Sequence, residues 1–124
     1  MLFRSQLGPI GQIAIAASEL DRALTFYRDS IGLKFLFRFD PLIFFDCGGV
    51  RLMIECGGRA DAPRGGCLYF KVPDIDRPYT DLPGCGVAFD DKPHLIARMP
   101  DHELWMAFFK DPDGNQLAIM AEKR

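Results

Sequence analysis

The chain has 124 residues, nearly half of them hydrophobic, which suits one compact domain with a real core. Its 15 Lys and Arg against 17 Asp and Glu leave a formal charge of −2, so there is no basic footprint for nucleic acid. No apolar run approaches the roughly 18 residues of a membrane span, and the start, "MLFRSQLGPIGQ", lacks a signal peptide's apolar core. No membrane partner is therefore expected, and the expected compartment is the cytoplasm.

Alternation makes Ile10 to Ala17 a strand, after which Ser18 is placed to cap a helix running to about Ile31. Leu20, Ala23, Leu24, Tyr27 and Ile31 recur at helical spacing, and Gly32 suits the stop. Leu33 to Phe39 is a second strand. Pro41 then opens a hairpin, Leu42 to Asp46 and Val50 to Cys56, that turns on Cys47-Gly48-Gly49. "GGRADAPRGG" is a linker, leaving a first module at about 9–56, the linker at 57–65 and a second module at about 66–122. In the second, Cys67 to Val72 is a strand and Asp76 to about Leu82 a short helix, since Pro78 is tolerated only in a first turn. Strands follow at about Val87 to Phe89, His94 to Met99, Leu104 to Lys110 and Gln116 to Ala121. Asp111-Pro112-Asp113-Gly114-Asn115 turns the last hairpin.

The halves repeat. "GQIAIAASELDRAL" falls on "GCLYFKVPDIDRPY" at an offset of 55 residues, and "FFDCGGVRLMI" falls on "FFKDPDGNQLAIM" at a slightly larger one. The plan is βαβββ twice, an α+β fold. A four-stranded sheet covered by one helix leaves a second face to bury, so two modules should form a curved mixed sheet around a concave cavity, helices outside. Alternation puts Ile13, Ile15 and Ala17 under the helix, and Gln12, Ala14 and Ala16 toward the concavity. Cys67, Tyr69 and Lys71 take that side in the second module. The repeat also pairs Met53 with Ala118, and Glu55 with Met120.

"IGQIAIAASELDRALTFYRDSIGL" and "AFFKDPDGNQLAIM" resemble the vicinal oxygen chelate superfamily: glyoxalases, extradiol dioxygenases and bleomycin-resistance proteins. The likeness covers nearly the whole chain, a single domain of this type. "PHLIARMPDHELWMAFFKDPDGN" further resembles glyoxalase-like bacterial proteins without an assigned substrate. Metal-using members place His or Glu at matched strand positions, which here read Gln12, Met53, Cys67 and Ala118. Hard divalent ions want carboxylates, imidazoles and waters. A divalent metal could draw one carboxylate from Glu55 if the register slips by two, but no metal and no other cofactor is expected. Without it the superfamily's shared oxyanion chemistry is not carried over.

Other chemistry stays open at few residues. Ser5, Ser18 and Ser30 lie outside any nucleophile-elbow context. Cys47, Cys56, Cys67 and Cys85 form no C-x-x-C pair and read as reduced, mostly buried thiols. His102, in "MPDHEL", reads as a polar-turn residue. His94 is either a strand histidine in water or a general base. Glu55 is either solvated, or paired with Arg51, or a proton-transfer group whose pKa burial would raise. Trp105, with the flanking phenylalanines, is divided between core and the wall of an aromatic pocket.

The function expected is therefore a metal-independent small-molecule-binding protein of the glyoxalase/bleomycin-resistance type. Gln12, Met53, Cys67, Tyr69, His94, Trp105, Ala118 and Met120 would line a cavity for an apolar or aromatic organic ligand. The alternative is a glyoxalase-like lyase, isomerase or dioxygenase in which Glu55 or His94 moves a proton. A concavity closed by another protein chain is a third. A homodimer is expected because exposed sheet edges need cover.

Overall fold

A computed structural model describes residues 6–57 and 66–124; the expected linker, 57–65, lies outside them except for Gly57. The order is β1 (Gln12–Ala17), α1 (Leu20–Leu24, continuing as a π-helix over Thr25–Ser30), β2 (Lys34–Phe39), β3 (Leu42–Cys47) and β4 (Val50–Cys56). It resumes with β5 (Leu68–Lys71), α2 (Asp76–Asp81, then a 3₁₀ turn over Leu82–Cys85), β6 (His94–Arg98), β7 (Glu103–Lys110) and β8 (Gln116–Lys123). The sheets run β1-β4-β3-β2 and β5-β8-β7-β6, each with one parallel edge pair and two antiparallel pairs. This is the expected duplicated βαβββ, α+β fold.

Three local expectations are corrected. Ser18 does not cap α1: the cap position is Glu19, without a side-chain bond, and the Ser18 N–H and hydroxyl both donate to Asp113. Past Leu24 the helix widens, so that Ile31 N–H reaches the Phe26 carbonyl at 3.0 Å. Across this stretch the adjacent Phe26 and Tyr27, whose rings meet edge-on at 5.2 Å, both enter the core. The strand expected at Val87 to Phe89 is only a bridge from Phe89 to Phe109.

Period-2 alternation sorts each sheet into two faces. From the first sheet Ile13, Ile15, Ile43, Phe45, Leu52 and Ile54 join one core with Leu68, Phe70, Ala107, Phe109, Leu117 and Ile119 of the second. The first helix contributes Leu20, Phe26 and Tyr27 to the same core, and Ile75, at the N-terminal cap position of α2, joins them. Fully buried rings such as Phe45 make the arrangement costly to disturb, about 3–5 kcal/mol for truncation to Ala. The opposite face of each sheet points away from this core.

A polar clamp crosses between the modules. Asp111 is 5% exposed, and its carboxylate accepts from the Tyr27 hydroxyl at 2.7 Å, Asn115 Nδ2 at 2.8 Å, and the Asn115 and Asp113 amides at 2.8 and 2.9 Å. Asn115 Nδ2 also donates to the Ala16 carbonyl at 2.8 Å. The "DPDGN" turn is thus more than a chain reversal: it pins the start of β8 to the β1–α1 corner.

Candidate functional site

The two open faces hold most of the expected site residues. On the first sheet, parallel pairing sets Gln12 beside Arg51 and Ala14 beside Met53, while Phe44 faces Met53 across the antiparallel ladder. Glu55 is opposite Leu42 on the same face. On the second sheet, Tyr69 pairs with Ala118 and Lys71 with Met120, and Phe108 and Met106 continue the two rows. His94 lies opposite Met106. Its ring is 6.3 Å from that of Phe108, and the Tyr69 ring is 6.1 Å from it.

Trp105 is not on this face. It pairs with Leu95 and Ala121, packs on the core and donates to Glu103 Oε1 at 3.1 Å, with Lys123 Nζ 4.3 Å from its ring centroid. Glu55 is exposed rather than buried beside Met and Phe, so the environment its proton-transfer role required is missing. It is not paired with Arg51 either. Glu55 and His94 stand on different sheets, and no hydrogen bond or ring contact links them. His102 is in the expected turn, its Nδ1 at 2.8 Å from Asp101.

The central feature carries no motif in the sequence. Arg51 Nε donates to Gln12 Oε1 at 2.8 Å, and the guanidinium carbon lies 5.4 Å from the centroid of Phe44. Gln12 Nε2 meets Met53 Sδ at 3.7 Å, and Phe37 stacks on Phe44 at 4.5 Å. Arg51, Met53 and Glu55 alternate on one face of β4 beside Gln12. That spacing was the signal available.

Among the described residues no three His, Cys, Asp or Glu side chains converge on one point. The matched positions offer an amide, a thioether, a thiol and a methyl group. The amide oxygen that could face a cation already accepts from a guanidinium. This donor set does not fit a hard divalent ion.

The thiols differ in setting. Cys47, Cys56 and Cys67 are half-buried, and Cys85 is exposed, against the expectation of mostly buried cysteines. Burial, and then the charge of Asp46, pushes the Cys47 thiol's pKa up; burial likewise raises that of Cys67, outweighing its contact with Tyr69. Neither is poised as a nucleophile. Both border a cleft of about 650 Å³ between the core side of the first sheet and β5, lined also by Ile13, Leu33, Leu52, Leu68 and Phe70. Tyr69 and Lys71 line it as well. Among the described residues no helix is long and apolar enough to cross a membrane.

Residues 9–119 match the model of the Glyoxalase/Bleomycin resistance protein/Dioxygenase superfamily. The chain is 30% identical to the uncharacterized protein YraH of Bacillus subtilis over 126 aligned positions, covering 87% of this chain and 94% of that one. Among solved structures it resembles a lactoylglutathione lyase from Agrobacterium tumefaciens (TM-score 0.73, 27% identity, 93% and 94% of the two chains covered). It also resembles a glyoxalase family protein from Bacillus anthracis (TM-score 0.77, 22% identity, 98% and 100% covered).

Proposed function

The chain belongs to the glyoxalase/bleomycin resistance protein/dioxygenase superfamily, and on that premise we propose that it is a metal-independent small-molecule-binding protein. It holds an apolar or aromatic compound against the open faces of its sheets and acts in the cytoplasm. One observation carries this reading. Phe37, Phe39 and Tyr69 are 46%, 71% and 47% exposed, large apolar rings left open among the Arg51, Glu55 and Lys71 charges of the same faces. Both open faces point away from the shared core of one chain. A second copy therefore completes the site, the first sheet of one chain confronting the second sheet of its partner in a homodimer.

The likeness to a lactoylglutathione lyase supports a small-molecule cavity, but not that reaction, since among the described residues no donor set fits its metal. A second location for the ligand is favoured by the cleft beside β5, whose volume lies within the roughly 300–1,000 Å³ of ligand pockets.

Light scattering after size exclusion, with amide-shift mapping of a 1-naphthol titration, tests the proposal. A dimer with saturable shifts at Met53, Tyr69 and Met120 is expected. Shifts confined to Leu52, Leu68 and Phe70 would move the ligand to the cleft. A monomer that binds no aromatic compound would contradict the proposal.

A further inference from the structure

We infer that Arg51 makes the open face of the first sheet a receptor for an aromatic or otherwise planar anion, with a carboxylate or comparable oxyanion on the ring. The inference rests on the small-molecule role just proposed and narrows it to a ligand class.

The arginines are not all partnered alike. Arg22, Arg28, Arg38, Arg77, Arg98 and Arg124 each lie within 4.0 Å of a carboxylate. Among the described arginines, Arg51 alone has no such partner. Its cross-strand neighbour Asp46 is engaged elsewhere, its Oδ1 accepting the Gly49 N–H at 3.0 Å within the hairpin turn. Arg51 is held by neutral groups instead: the Gln12 amide oxygen on Nε and the Phe44 ring against the guanidinium. Neither contact uses the Nη groups, from which no described residue accepts a hydrogen bond. A guanidinium fixed in this way keeps a planar fork of donors that matches a carboxylate two bonds at a time.

What lies beside the fork identifies the rest of the ligand. Phe44 and Phe37 form a stacked pair at 4.5 Å, and Met53 touches Gln12. An anionic head on Arg51 thus leaves its attached ring over aromatic and thioether surface. Gln12 becomes a positioning residue. It stands at a position where the family resemblance implies a metal ligand, yet its oxygen orients a cation that would repel a metal ion.

Titrating the isotope-labelled full chain with 1-naphthoate and with its neutral counterpart 1-naphthamide, at low ionic strength, tests this. Naphthoate should bind at least about tenfold more tightly, the scale of one hydrogen bond to a charged group. Arg51→Gln should bring that ratio close to one, and Arg51→Lys should restore part of it through charge without the fork. Gln12→Glu, which pairs internally with Arg51, should also abolish the preference, a result that a merely structural Gln12 would not give. Equal affinities for the two compounds, or a preference that survives Arg51→Gln, would overturn the anion inference and leave small-molecule binding standing. Binding of neither compound would remove both.

Discussion

Removing one oxygen atom from Tyr27 should show how the two modules are held together. In Tyr27→Phe, Oδ2 of Asp111 loses the hydroxyl at 2.7 Å and keeps only Asn115 Nδ2 at 2.8 Å, while Oδ1 keeps its two amide donors. A hydrogen bond to a charged group contributes about 1.5–3 kcal/mol. Because the carboxylate remains three-quarters satisfied, the loss should be about 2 kcal/mol. For a chain of this length that lowers Tm by roughly 8 °C. Urea unfolding should show a lower midpoint at unchanged slope. Asp111→Ala, which strands several donors in the core, should cost about 3 kcal/mol or more. In that background Tyr27→Phe should cost less than about 0.5 kcal/mol, since the partner is already gone. Equal costs in both backgrounds, or a Tyr27→Phe protein as stable as the parent, would refute the clamp.

Alkali should act on the same tyrosine. Burial, and then the charge and hydrogen bond of Asp111, hold the Tyr27 pKa far above its ordinary value near 10. Its contribution is therefore complete below about pH 10 and is lost above it, as the unfolded chain ionises and the folded one does not. Urea unfolding between pH 9 and 11 should fall more steeply for the parent than for Tyr27→Phe; parallel curves would contradict this. Phe39→Asp, at a site 71% exposed, should change single-chain stability by no more than about 0.5 kcal/mol yet shift the proposed homodimer to monomer in light scattering. Ellman's reagent at neutral pH should modify exposed Cys85 first and Cys47 and Cys67 slowly, with Cys85→Ser removing the fast phase.

How far the residues announced this structure differs from element to element. The repeat and the strand positions could be read because period-2 alternation and the turns "CGG" and "DPDGN" are local signals. Alternation also placed Gln12, Met53, Tyr69, Ala118 and Met120 on faces turned from the core. Ser18 could not be read correctly, because the partner that takes its hydroxyl, Asp113, lies 95 residues away. Trp105 sits in "ELWMAFFK", apolar on both faces, so no alternation shows which side of β7 it takes; pairing with Ala121 settles it toward the core. Arg51 reads in the sequence only as a partner for Glu55, four residues along the same strand. Its contact with Gln12 depends on the parallel β1–β4 register, which no local pattern encodes.

Ligand binding by metal-stripped protein tests the central claim most directly. The full chain would be dialysed against EDTA, titrated with 1-naphthol, and titrated again after equimolar Zn²⁺, Mn²⁺, Ni²⁺ or Fe²⁺ is added. Saturable binding at the open faces with one affinity throughout is expected. Binding that appears only once a metal is returned would contradict it, and would mean that Gln12 and Arg51 move aside to admit an ion.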